Sequence, residues 1–166
     1  MELTTRQKGA LAEAKIAAAA VEQGWFVLRP DQEGRRYDFV FDVDHRLLRI
    51  QCKWARVRGD VVIAQTGTCR HTPAGYVRST YSPADIDVIA LYCGELDRCF
   101  ALPVTEVTGL HAIHLRLAPA RNGQRSGVRL ADAYPLGAVA QLGERRHGMA
   151  EVRGSSPLSS IATKAA

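Results

Sequence analysis

In the 166-residue chain the opening MELTTRQKGA lacks the charged start, apolar run and small-residue cleavage site of a secretory leader, so none is expected. No apolar run approaches the roughly 18 residues that span a bilayer. The expected location is therefore the cytoplasm, with no membrane partner. Zinc spacing and C-x-x-C pairs are also absent. In a reducing compartment the four cysteines, Cys52, Cys69, Cys93 and Cys99, read as small buried hydrophobes, with a Cys93–Cys99 disulfide across the turn GELDR as the alternative. There is no Ser-His-Asp set, no glycine-rich phosphate loop, no dinucleotide fingerprint and no internal repeat. His111 and His114 cannot easily share a metal on one strand, since a three-residue separation turns them to opposite faces.

What the chain does have is a globular composition, 46% hydrophobic and 23% charged, in a length that allows one compact domain and not two. Its net charge of +5 is carried largely by arginine, which points toward phosphate-bearing partners.

Thr4-Thr5-Arg6-Gln7 fits a capping box, so a helix is expected over 4–23, ending at Gly24. Its apolar positions Ala10, Ile16, Ala17, Ala20 and Val21 recur at helical spacing, and Glu13 sits on or beside that stripe. Strands are expected at 25–29, 37–43, 46–54 and 61–65, with Asp44-His45 as a tight turn. Residues 66–84 read as a polar loop that contacts something. A hairpin over 85–93 and 98–102, a connection beginning at Pro103 and an edge strand at 112–117 complete the domain. A basic linker is expected over 119–137. The element order argues for an α/β or α+β fold with a mixed central sheet flanked by helices.

One stretch breaks the apolar pattern. In Ile50-Gln51-Cys52-Lys53, strand alternation puts Gln51 and Lys53 on one face and Ile50 and Cys52 on the other. If the Asp44-His45 turn pairs the two strands, Asp38 lies beside Gln51 to Lys53. A first helix packed on that same face would then add Glu13. Two carboxylates, an amide oxygen and strand carbonyls, Cys52's among them, suit a hard cation such as Mg²⁺, with Mn²⁺ as a substitute. Such an ion can lower the pKa of a bound water and offset charge on a scissile phosphate, with a lysine alongside to orient or deprotonate that water. Each residue also has a plainer role: Glu13 as a solvated helix residue, Asp38 as a turn cap, Lys53 as a strand-end lysine.

The order helix glutamate, Tyr37-Asp38, Gln51-x-Lys53, set within KGALAEAKIAAAAVEQGW, RPDQEGRRYDFVFD, LLRIQCKWAR and YSPADIDVIALYCGELDRCFALPV, resembles the PD-(D/E)XK nuclease superfamily. Within it, residues 8 to 108 are similar to the branch of group I intron-associated homing endonucleases. The resemblance implies a restriction-endonuclease-like fold over 1–118 and hydrolysis of double-stranded DNA with Mg²⁺. It makes Asp38 and Glu13 metal carboxylates, Gln51 the variant of a usually acidic position and Lys53 the catalytic lysine. Arg35, Arg36, Arg56, Arg58, Arg70 and Arg78 become candidates for DNA contact, because guanidinium forks suit phosphates and guanine edges. A single site per chain implies a homo-oligomer, dimer or tetramer. The alternatives are a Holliday-junction or repair nuclease of the same superfamily and a DNA-binding module inactivated through Gln51. Asp85 and Asp87 read as structural.

Residues 138–160, AVAQLGERRHGMAEVRGSSPLSS, resemble a translated tRNA gene. VAQL can be written GTA-GCT-CAG-TTG, a D-arm consensus, and RGSSP as CGG-GGT-TCG-AGT-CCC, that of a T-arm, with Val139 and Gly154 fifteen codons apart. On that reading the tail, 138–166, is disordered and Arg145, Arg146 and His147 carry no catalytic role.

Overall fold

A computed structural model describes residues 2–32, 34–73, 75–119 and 126–141. The helix α1 spans Thr5–Glu22 and begins with the expected capping box: the Thr4 side chain accepts from Gln7 N–H, and the Gln7 side chain accepts from Thr4 N–H. Such a cap contributes about 1 kcal/mol. Gly24, at φ +80°, lets the chain leave the helix in a conformation that a side chain would strain.

Nine strands follow among the described residues: β1 (Phe26–Leu28), β2 (Phe39–Val43), β3 (Arg46–Arg58), β4 (Val61–Gln65), β5 (Thr68–Thr72), β6 (Gly75–Ser79), β7 (Val88–Cys93), β8 (Arg98–Pro103) and β9 (Ala112–Arg116). All but β5 and β6 form one seven-stranded sheet. The turn between β2 and β3 is the expected one, with Asp44 and His45 at φ 50° and 64°, the positive values that a two-residue hairpin turn demands.

The 13-residue strand β3 organises the sheet, running four residues past the expected end at Trp54. Ile50 pairs with Phe39 on one edge and Val88 on the other, while Ala55 pairs with Ala64 and with Cys93. Strands β2 and β4 therefore share one edge of β3, and the parallel strand β7 takes the other edge from Ile50 to Ala55. Between the last β2 pair at Ile50 and the first β4 pair at Ala55 lies a gap with no strand on that edge.

The two faces carry separate cores. Helix α1 puts Ala12, Ile16 and Ala20 against Phe39, Phe41, Leu48, Ile50 and Cys52. Burying a side chain such as Ile16 stabilises the fold by about 1.5–3 kcal/mol. The opposite face packs Ala55, Ile89, Leu91, Phe100 and Leu102 under Tyr81, Ile86, Val104 and Val107. The fold is thus the expected mixed α+β sheet, with one α-helix of any length among the described residues.

Two expectations change. Residues 66–84 are not a loop throughout, since β5 and β6 pair as a separate two-stranded ribbon. Strand polarity masked this, because a ribbon standing off the sheet needs no apolar face. The packed body also extends beyond residue 118: Tyr134 O accepts from Ala101 N–H, and Leu136 and Val139 are buried against α1 and its sheet face. The expected linker thus carries core residues, and Val139 continues that packing into the first residues of the expected tail. Cys93 and Cys99 are free thiols, as the reduced reading expected and not the alternative disulfide, because β7 and β8 pair Cys93 with Arg98 and Cys99 with Tyr92. The tail beyond residue 141, with Arg145, Arg146 and His147, lies outside the described residues.

Candidate active site

Residues Gln51 to Trp54 face the gap in the β3 edge, and the backbone of alternate residues points into it. Ile50 O still accepts a sheet bond, from Asp38 N–H at 2.8 Å. At Cys52 there is no strand to continue the ladder. Its N–H instead donates to the Asp38 carboxylate at 2.7 Å, and its carbonyl accepts from the Gln51 side-chain amide at 3.2 Å. The same Gln51 nitrogen donates to Asp38 Oδ2. Asp38 is thus not a turn cap. It is the residue just before β2 whose carboxylate fills the place where a strand would have been.

Glu13 reaches this locus from the other side of the sheet. The expectation that α1 covers the Gln51 and Lys53 face is incorrect, because the helix packs on the face of Phe39, Phe41 and Ile50. The gap brings the two faces together nevertheless. Glu13 is close enough to act on the Asp38 carboxyl, whose pKa is raised by burial first and then by the Glu13 charge, against the lowering effects of the Cys52 N–H, Lys53 and Gln51. The buried Cys52 thiol is pushed well above its ordinary value, again by burial and then by Asp38 and Glu13. Cys52 therefore offers a cation its carbonyl and not its sulfur. Glu13 also pairs with Arg29 at 3.6 Å, and the Arg29 guanidinium stacks 4.5 Å from the Phe39 ring centroid.

On the opposite face Gln51 and Lys53 share one support, Tyr81. Its hydroxyl donates to Gln51 Oε1 at 3.0 Å, and the Lys53 ammonium lies 5.3 Å from the centroid of its ring. Gln51 is 8% exposed and Tyr81 4%. Sequence reading missed Tyr81 and Arg29: neither stands at a fixed spacing from the site, and both arrive through loops whose course only the packing decides.

Among the described residues no three His, Cys, Asp or Glu side chains gather as a metal site. The oxygen donors here are two carboxylates and a main-chain carbonyl, of the kind Mg²⁺ takes while keeping several waters, and the Gln51 amide turns its nitrogen to them and its oxygen to Tyr81. The groups facing Asp38 and Glu13, namely Gln51 Nε2, Cys52 N–H and Arg29, are all donors or cations. The locus therefore already attracts positive charge, and the residues fit a hard divalent ion.

The expected DNA-contacting arginines divide. Arg35, Arg56 and Arg58 are exposed. Arg36 is held in place, donating to Ser79 Oγ and Thr80 O, pairing with Asp85 at 3.4 Å and stacking over Tyr81. Arg70 and Arg78 lie on the β5–β6 ribbon, opposite Val77 and Cys69 in the register. Asp85 accepts from the Ser82 N–H and hydroxyl, while Asp87 takes Arg49 in a fork at 3.0 and 3.1 Å; both have the structural role expected.

The sequence pattern of the PD-(D/E)XK endonuclease family matches residues 3–137. The chain belongs to that family. Among solved structures it is similar to a bacterial homing endonuclease, I-Ssp6803I, with a TM-score of 0.71 and 26% identity over 87% of this chain and 98% of that one. No protein with a curated description matches.

Proposed function

We propose that this endonuclease hydrolyses phosphodiester bonds in duplex DNA with Mg²⁺, in the manner of a homing endonuclease, and that Glu13, Asp38, Gln51 and Lys53 carry the reaction. The observation that carries this reading is the strand gap, where a carboxylate and a strand carbonyl with no neighbouring strand to pair it stand together on a rigid edge. Asp38, Glu13, the Cys52 carbonyl and Gln51 would hold the ion. When bound, it supplies positive charge to the scissile phosphate and acidifies a water. Lys53, two residues from Gln51 on the same face, is placed to take a proton from that water or orient it for attack on phosphorus. Strand spacing fixes these two side chains more firmly than a loop would.

Duplex DNA as substrate is supported by the net charge of +5 and by exposed Arg35, Arg56 and Arg58. The β5–β6 ribbon bearing Arg70 and Arg78 is a two-stranded element of the width that enters a major groove. Each chain has one such site, so cutting both strands takes two copies. Edge strand β1 supports assembly, for Phe26 is 74% exposed and lies across Asp42 from Leu47, itself 64% exposed. The test is incubation of the purified protein with its native genomic flank in Mg²⁺ or EDTA, followed by mapping of the ends. Discrete ends in Mg²⁺ alone are expected; intact DNA in both would leave a DNA-binding module, and cutting confined to branched substrates would favour a junction nuclease.

A further inference from the structure

Resting on the nuclease reading above, we propose that Gln51 turns its side-chain amide over when the cation binds, and that Tyr81 is the positioning residue that supports both orientations. Without metal, two groups that can only accept, the Asp38 carboxylate and the Cys52 carbonyl, lie on one side of the amide, so its NH₂ must face them. Its oxygen then faces away and accepts from the Tyr81 hydroxyl. A cation held by Asp38 and the Cys52 carbonyl reverses the demand, because it repels an NH₂ and needs an oxygen there. Rotation about the last side-chain torsion, a soft one, exchanges nitrogen and oxygen with little change of shape.

What makes the exchange affordable is the residue on the far side. After the turn the NH₂ faces Tyr81, and a phenol hydroxyl can accept as readily as it donates. A carboxylate at that position could not donate to the first orientation, and an ammonium could not accept from the second. The site is closed enough that bulk water does not take over the task, and the ring is held by Arg36 at 5.0 Å and Lys53 at 5.3 Å from its centroid. A glutamate at position 51 would need no such partner, since both its ends are oxygen.

The test is a double-mutant cycle on Mg²⁺ affinity by calorimetry, combined with nitrogen-15 NMR of the Gln51 side-chain amide, assigned by its loss in Gln51→Glu. In Tyr81→Phe the ring and its packing remain, but the turned NH₂ has no acceptor, which costs more than a carbonyl lacking a donor. Mg²⁺ affinity should fall about fivefold. In the Gln51→Glu background an oxygen faces position 81 in both states, so adding Tyr81→Phe should leave affinity within about twofold. Mg²⁺ should also shift the Gln51 NH₂ pair as its partners change from carboxylate and carbonyl to phenol. Equal weakening by Tyr81→Phe in both backgrounds, or an unmoved Gln51 pair while the Cys52 N–H signal responds to Mg²⁺, overturns the inference and leaves the nuclease reading intact. No Mg²⁺ binding by the unmodified protein, together with no cleavage, overturns both.

Discussion

Replacing Lys53 with methionine removes a charge and leaves most of the side chain's length, and the structure separates what that does to stability from what it does to chemistry. In the fold, Lys53 is half-buried at the open edge of β3 and its ammonium contacts the Tyr81 ring at 5.3 Å. A cation over a ring at a partly exposed position is worth about 0.5–1 kcal/mol, so the melting temperature should move by only a few degrees. Loss of a group that moves a proton in the reaction costs about 10²–10⁴-fold in rate. The assay is single-turnover cleavage of the native flank at saturating protein and Mg²⁺, run beside a thermal melt and a DNA-binding titration. A fall in rate of at least about 100-fold, with DNA affinity and folding retained, is expected. Cleavage within about threefold of the unmodified protein would show that Lys53 takes no part and would refute the placement of the chemistry at the strand gap.

The raised Asp38 pKa has a definite sign. Burial chiefly lifts it above the ordinary 3.8, so the stability it contributes is present below 3.8 and is lost as pH rises through the higher folded value. Asp38→Asn should therefore raise the metal-free melting temperature at neutral pH and flatten its pH dependence, while Mg²⁺ affinity in the unmodified protein should begin to fall, on acidification, at a pH above the usual carboxylate range; melts and calorimetry across pH 4 to 8, a window set by that ordinary value, check both. Gly94→Ala would put a methyl 2.5 Å from Trp54, whose ring packs edge-on against Tyr92, and should cost about 1–3 kcal/mol in urea unfolding. Truncation after residue 118 removes buried Leu136 and Val139, about 1.5–3 kcal/mol each, and should prevent stable folding, whereas truncation after residue 141 should leave melting and cleavage unchanged.

The local chemistry was legible in the sequence wherever it was set by neighbours. The capping box, the Asp44-His45 turn, the alternation that puts Gln51 and Lys53 together and the position of Asp38 beside them all follow from short-range spacing. Choices between distant partners were not. The helix face was misjudged because both faces of the sheet are apolar, one around Phe39 and Phe41 and the other around Ile89, Leu91 and Phe100, so strand alternation alone does not say which one α1 covers. Residues 126–141 follow a basic stretch and show neither helix nor strand periodicity, yet Ala131, Leu136 and Val139 are buried on the sheet. The strand gap itself could not be read, since it arises from β2 and β4 sharing one edge of a strand whose full length no local pattern reveals. Tyr81 joins the site for a similar reason, being delivered by the segment between the β5–β6 ribbon and β7.

The most direct measurement is anomalous diffraction from crystals of the protein soaked in Mn²⁺. A single strong peak in the gap of the β3 edge, within bonding distance of Asp38 and the Cys52 carbonyl and beside Glu13, is the result expected. A peak elsewhere, or none at this position in a preparation that cleaves DNA, would contradict the assignment of these residues as the metal centre.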